Sequence, residues 1–247
     1  MVSRKRMTAF FAPFVGLLLM VTTTGAATAA PTALDSDPLT MTTVGGDEAA
    51  AKTEAAMKAL SEGSVDLQAP LNSVKVAEVK VNSVTTEEGE FTTVTLPIGG
   101  PYSFTSNVSM VFDDAGNRLQ FSETLVSENG EGNFNVTTYV DGMVTSDQDT
   151  NIAFMTDAEL KADLENSQSA GGMKADGGAS TQAEKNTGAC IATVLGVSGV
   201  VGSIIAYSCA GACAAAAAGV GVPFCVACIA GFATVGGASI TAVATCF

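Results

Sequence analysis

Two hydrophobic patterns divide this chain. From about Val65 to Phe154, apolar Val, Phe, Tyr and Leu alternate with polar residues at a period of two. Val74-Lys75-Val76 and Val79-Lys80-Val81 open the region, and Phe91 to Ile98 predicts a strand that Gly99-Gly100-Pro101 stops. Val108 to Phe112 predicts the next strand, followed by an Asp113-Asp114-Ala115-Gly116-Asn117 turn. Leu119 to Val126 alternates, Asn129-Gly130-Glu131-Gly132 turns, Phe134 to Val140 alternates again, and Asp141-Gly142 predicts a two-residue hairpin. Short strands joined by such turns predict an antiparallel meander of about five or six strands. One solvated face accounts for its many Thr, Ser and Glu residues.

The second pattern is not periodic at all. Ala189 to Ala218 and Phe224 to Phe247 are two long runs of Ala, Gly, Val, Ile and Cys, separated by Gly219-Val220-Gly221-Val222-Pro223. They are longer than strands usually get, so they predict helices joined by a turn. Each is long enough for the ~30 Å core of a bilayer. Ser198, Gly202, Ala206, Ala210 and Ala214 recur every four positions, a row that admits close approach of another helix.

Shorter helices flank the meander. Asp47 to Ser61 is Ala-rich with acids at its start and predicts a surface helix. Thr156 to Asn166 predicts a short amphipathic helix, with Thr156 as its cap and Glu159 at the capping-box position. Ser167 to Gly188 is Gly, Ser, Ala and charge without periodicity, which predicts a linker open to a protease.

Charge sharpens the division. The chain carries 25 acidic and 11 basic residues, no His and a net charge of -14. All the acids lie between Asp35 and Glu184, and no ionisable Asp, Glu, Lys, Arg or His occurs from Asn186 to Phe247. So acidic a chain is a poor partner for nucleic acid. Without His, Ser-His-Asp and Cys-His catalysis within the chain is excluded, and we expect neither an enzyme nor a cofactor.

The N-terminus has the layout of an export signal. Arg4, Lys5 and Arg6 precede an apolar stretch from Met7 to Val21, and Ala27-Thr28-Ala29 fits a signal-cleavage site, with the cut expected after Ala29. An exported chain places Cys190, Cys209, Cys213, Cys225, Cys228 and Cys246 in an oxidising compartment, where disulfides are the first expectation. Cys209 and Cys213 share one helix face, as do Cys225 and Cys228. Antiparallel helices favour nested bonds, Cys209 to Cys228 and Cys213 to Cys225, with Cys190 and Cys246 closing the ends. Six cysteines nonetheless allow fifteen pairings. A four-cysteine zinc site is the competing reading of the inner four, disfavoured because no basic residue offsets the thiolates.

The expected organisation is a signal peptide (1-29), a leader with a short helix (30-64), an acidic β-rich domain (65-166), a linker with a processing site (167-188) and a cysteine-rich hydrophobic module (189-247). The fold class is α+β: an antiparallel meander with flanking helices, then an apolar, disulfide-stapled helical hairpin. The stretch from Gly188 to Phe247, centred on SCAGACAAAAAGVGVPFCVACIAGFATVGG, resembles the halocin C-eight-like bacteriocin domain. The archaeal type member has more cysteines and some charge, so this chain looks closer to bacterial relatives. The resemblance implies a secreted precursor. Its released C-terminal peptide would act on a target-cell membrane after a processing protease cuts, and residues 30 to about 185 would serve as propeptide or immunity partner. The alternative is an extracellular β domain anchored in its own membrane by the C-terminal hairpin.

Overall fold

The computed structural model describes residues 40–86, 89–169, 182–216, 222–232, 243 and 246–247. The expected cleavage site at Ala29 lies outside them. Seven antiparallel strands, in the simple order of the chain, make one sheet. They are β1 (Thr40–Thr43), β2 (Lys80–Thr86), β3 (Gly89–Pro97), β4 (Asn107–Phe112), β5 (Arg118–Glu128), β6 (Asn133–Val140) and β7 (Met143–Ala153). The expected α+β meander is therefore present, with two departures.

The first is the strand number. β1 forms where the Thr- and Pro-rich lead-in gives no alternation; it is a four-residue edge strand held by pairing with β2 and by Met41 against the core. Of the two Val-Lys-Val segments, only the second enters a strand. Val74 makes a single bridge to Ile98, and its neighbours form short 3-10 turns at Leu71–Ser73 and Val76–Glu78. The turns themselves follow the sequence. Asp113 Oδ1 accepts from the Asn117 amide at 2.6 Å. Asp141 and Gly142 adopt positive φ (48° and 80°), as a type I′ hairpin requires.

The second departure concerns the faces. Neither face of the sheet centre is solvated: every residue of β4 is buried. On one face, α1 (Gly46–Ser61) and the segment after it cover Val81, Val94, Leu96, Val108, Met110 and Phe121, with Ala56 and Leu60 as the buried edge of the helix. The thin apolar face of α1 fits this role as a lid. Glu123 is fully buried here and its carboxylate accepts the backbone N–H groups of Gln68 and Ala69, both at 2.8 Å. Burial pushes this carboxyl above its usual range, against the pull of the two N–H donors, and Asp66 adds to the rise.

A raised pKa means that the folded chain holds the Glu123 proton at pH values where the unfolded chain has lost it. The penalty for burying the anion is then full above the raised value and gone below the ordinary carboxyl value. The Glu123 contribution should make the fold more stable as pH falls from neutral toward the ordinary carboxyl range. Urea midpoints of the wild type and Glu123→Gln, measured at successive pH values, isolate this term. A difference between the two that does not change with pH contradicts it. Glu123→Ala should cost about 2–4 kcal/mol, since it orphans two backbone donors.

The helices after the sheet are α2 (Asp157–Ser169), α3 (Gln182–Leu195), α4 (Gly199–Ala216) and α5 (Val222–Phe232). The capping box at α2 is formed as expected: the Glu159 carboxylate accepts from the Thr156 amide at 2.8 Å and from its hydroxyl at 2.7 Å. These bonds hold the Glu159 carboxyl below its usual value. The stretch read as a linker is in part helical, because α2 continues to Ser169 and α3 begins at Gln182. Its middle, 170–181, lies outside the described residues.

The run from Ala189 to Ala218 is not one helix. Gly196 takes positive φ (64°), and the Val197 amide donates back to the Ala192 carbonyl at 3.1 Å, a Schellman closure of α3. Ser198 then caps α4, its hydroxyl accepting from the Val201 amide at 3.2 Å. The two helices are bent by 118° at this break, and among the described residues no single helix is long and apolar enough to cross a membrane. Hydropathy alone merged two helices that a Gly-x-Ser signal separates.

Candidate functional site

The six cysteines form the three bonds that the helical-hairpin geometry favours. Cys209 joins Cys228, Cys213 joins Cys225, and Cys190 joins Cys246. Two bridges therefore tie α4 to α5, and the third ties α3 to the C-terminal end. With every cysteine paired, no thiolate remains to serve a four-cysteine metal site.

Packing between the helices relies on missing side chains. A Cβ on Gly202 of α4 would stand 2.5 Å from the Gly188 carbonyl oxygen and 2.8 Å from Ala192 Cβ, so α3 and α4 touch backbone to backbone there. Gly202 belongs to the small-residue row expected to admit a neighbour. Ser198 and Ala206 of that row are buried as well, whereas Ala210 is exposed.

The module has a seat. The described residues, Thr40 onward, belong to one compact unit, and α4 and α5 lie on the face of the sheet opposite α1. Val126, Phe134, Val136 and Ile152 of the sheet and Leu160 of α2 share one apolar core with Ile191, Leu195, Val201, Ile204, Ile205, Ile229 and Phe232. The division drawn at residue 189 thus separates two chemistries, not two cores.

Beneath α5 the seat is lined with hydroxyl and amide groups. Strand register puts Asn82, Thr93, Thr95, Asn107, Ser109, Ser122 and Thr124 on this face. Three of these groups form one network. Thr95 Oγ1 and Ser109 Oγ are 2.8 Å apart, Ser109 donates to Asn107 Oδ1 at 3.2 Å, and Asn107 donates to the Thr105 carbonyl at 3.3 Å. Gly231 of α5 sits directly on this network: a Cβ there would meet Asn107 Oδ1 at 2.9 Å and Ser109 Oγ at 3.1 Å. At the other strands, Thr138 Oγ1 donates to the Ser208 carbonyl of α4 at 3.4 Å. Thr and Ser residues that the alternation assigned to solvent are therefore buried, because a Gly- and Ala-rich helix can lie close over small polar groups that bond among themselves.

One hydroxyl is left out. Thr93 Oγ1 is buried and has no hydrogen-bond partner among the described residues. Thr93→Val keeps the shape and removes the orphan, so it should raise stability by about 1 kcal/mol. A denaturant midpoint at or below that of the wild type would count against this accounting.

No protein-family model, curated protein or solved structure matches the chain. The site therefore stands on its chemistry. From Asn186 to Phe247 it carries no Asp, Glu, Lys, Arg or His, and its sulfur is tied up in bridges. What it presents is apolar surface, stapled covalently and laid against a sheet of complementary small polar and apolar residues. Sequence reasoning identified the cysteines, their pairing preference and the absence of charge. It missed the seat, since nothing in alternation tells which face of a strand meets a segment a hundred residues away.

Proposed function

We propose that the chain is a secreted precursor of a membrane-active bacteriocin of the halocin C-eight-like type, held inactive by its own β-sheet. The observation that carries this reading is a module without charge whose apolar helices are covered by the sheet and stapled by three disulfides. In water such a module needs a cover. Once the chain is cut between the sheet and α3, the disulfides keep the helices together, and apolar burial is the driving force left for entering lipid. Attraction to anionic headgroups cannot recruit a neutral peptide.

The nature of the seat supports the division of labour. An acidic domain cannot hold an uncharged peptide through ion pairs. Here the contacts are apolar side chains and self-satisfied hydroxyls, and a hydroxyl-lined face is less aggregation-prone when uncovered than an aliphatic one. The sheet then acts as propeptide and, after the cut, as an immunity partner that rebinds the module.

The test is direct. A protease site is placed between residues 170 and 181 of the exported, oxidised protein, the chain is cut, and the fragments are separated. The C-terminal fragment should release dye from vesicles of neutral lipid and arrest susceptible cells. The uncut chain should do neither, and adding back the sheet fragment should suppress leakage. A fragment that cannot be dissociated short of denaturation overturns the release step. A free, disulfide-intact fragment that leaves vesicles and cells unharmed overturns membrane action.

A further inference from the structure

The inner disulfides are not the ones that a flexible chain favours. Cys209 to Cys228 and Cys213 to Cys225 span 19 and 12 residues, whereas Cys209 and Cys213 are four apart and Cys225 and Cys228 three. Closing a loop costs more entropy as the loop lengthens, so a reduced, unstructured chain favours the two local pairs. Antiparallel helices favour the nested pairs, but in one register alone. A slide of about one turn brings Cys213 to Cys228, or Cys209 to Cys225. No ion pair within the module fixes that register, because no Asp, Glu, Lys, Arg or His occurs from Asn186 onward.

The sheet holds each helix of the hairpin separately. α4 lies over β6 and β7, and α5 over β2, β3 and β4. On α4, the Ser208 carbonyl accepts from Thr138 Oγ1 at 3.4 Å, one residue before Cys209. On α5, Gly231 rests against Asn107 and Ser109, three residues beyond Cys228. Ile204 and Ile205 of α4 and Ile229 and Phe232 of α5 enter one core with Val126, Phe134 and Val136 of the strands.

The sheet is also built to come first. Each strand pairs with its neighbour in sequence. The α1 face has a core drawn entirely from residues ahead of the module. Asn107, Ser109 and Thr95 bond to one another and to the Thr105 carbonyl, so this part of the seat needs no occupant to satisfy it. Sheets of this size form in roughly milliseconds to seconds, and disulfides in seconds to hours.

We propose that the sheet is a folding template for the disulfides. It seats α4 and α5 in the register that brings Cys209 to Cys228 and Cys213 to Cys225 before either bond exists. The seated helices need be no more than a minor population of the reduced chain, because oxidation traps them. The oxidant is an external disulfide, a small molecule or a protein. One cysteine thiolate attacks it to form a mixed disulfide, and the partner thiolate displaces the remaining half. Each bridge therefore gives two electrons to one external disulfide, and the two thiol protons end on the two thiols released. Template action is independent of whether the module is later freed and of what it does to a membrane.

The test is oxidative refolding of the full chain. Reduced, unfolded protein is returned to a buffer of glutathione and glutathione disulfide, trapped with acid, and its bonds are read by mass spectrometry without reduction. Glu123→Ala separates a template from a module that directs itself. Glu123 faces the segment after α1, away from the hairpin, so the change weakens the sheet and leaves the module as it is. Urea is set between the midpoints at which the sheet unfolds in the two reduced chains, read by circular dichroism.

There the wild type should form the nested pairs in most molecules. In Glu123→Ala they should fall about threefold or more, to or below the one-in-three share of random pairing among four cysteines. Local pairs should take their place. Without urea the two chains should pair alike; if Glu123→Ala has no sheet even then, the same loss is expected there. Gly231→Leu, which presses a side chain onto Asn107 and Ser109, should lose nested pairs with its sheet intact. Gly211→Leu, whose Cβ meets no atom within 4 Å, should pair as the wild type does. Nested pairs formed equally by wild type and Glu123→Ala in urea, or by Gly231→Leu as by the wild type, would overturn the proposal. So would a reduced wild-type chain that shows no sheet in the absence of urea, since a template must precede the bonds it directs.

Discussion

Reducing all three disulfides is expected to melt α3 to α5 and to lower the unfolding temperature of the whole chain by about 20 °C or more. The bridges close loops of sequence separation 56, 19 and 12. Taken singly, chain entropy makes these worth about 4, 3 and 3 kcal/mol. The 12-residue loop nests within the 19-residue loop, and both lie within the long one, so the combined effect is smaller than the separate values added. It still rivals the ~5–15 kcal/mol net stability of a typical domain. The module has little else to hold it: apart from Leu195, Phe232 and the bridged cysteines its buried apolar side chains are Ala, Val and Ile, and it has no ion pair because it has no Asp, Glu, Lys, Arg or His. The sheet would lose the helices that cover Val126, Phe134 and Val136. Thermal melts followed by far-ultraviolet circular dichroism, with thiol titration confirming six free sulfhydryls, make the check. A reduced chain that melts within a few degrees of the oxidised one would show that packing on the sheet alone suffices. Among paired replacements, Cys190→Ser with Cys246→Ser should cost most, because that bridge closes the longest loop.

The second large effect is expected at Gly202. Gly202→Leu should cost about 3 kcal/mol or more, the upper end for overpacking. Its Cβ alone would press on the Gly188 carbonyl, on Ala192 Cβ and on the Ala192 amide nitrogen, at 2.5, 2.8 and 2.9 Å. Two of the three are backbone atoms and the third is a methyl fixed to the backbone, so no flexible side chain can swing aside. The helices must separate, and with them the seating of Ile191, Leu195, Ile204 and Ile205 in the shared core. The leucine's better helix propensity, worth roughly 1 kcal/mol over glycine, offsets only part of this. Gly211→Leu, in the same helix and with the same gain in propensity, is the control, because there the added carbon meets open space. Urea unfolding of the two variants beside the wild type should place them on opposite sides of it, or nearly so. Equal midpoints would mean that α3 and α4 do not in fact meet at Gly188 and Gly202.

Much of the local structure was legible because the signals are local. Asp141-Gly142 needs two positive φ angles and has residues that accept them; Thr156 and Glu159 sit three apart and close a capping box. The cysteine pairs at spacings of four and three fall on single helix faces, and the nested bonds are those that antiparallel helices favour. β1 was not legible, since a four-residue edge strand without alternation owes its form to β2. The break at Gly196 and Ser198 was written in the chain but lay hidden under uniform hydropathy. The buried Thr and Ser of the seat could not be found by alternation, which distinguishes the two faces of a strand but not what lies above them.

The sequence by itself determined a meander and a charge-free module whose six cysteines sit where helices can pair them. These rest on periodicity, turn chemistry and charge, all properties of neighbours in the chain. Only the tertiary structure decided that the module is the second half of the core and that polar strand residues lie beneath it. Such facts depend on which surfaces meet across long sequence separations. That choice is made by shape, through glycines that let a helix settle on Asn107 and Ser109, and no one-dimensional pattern records it.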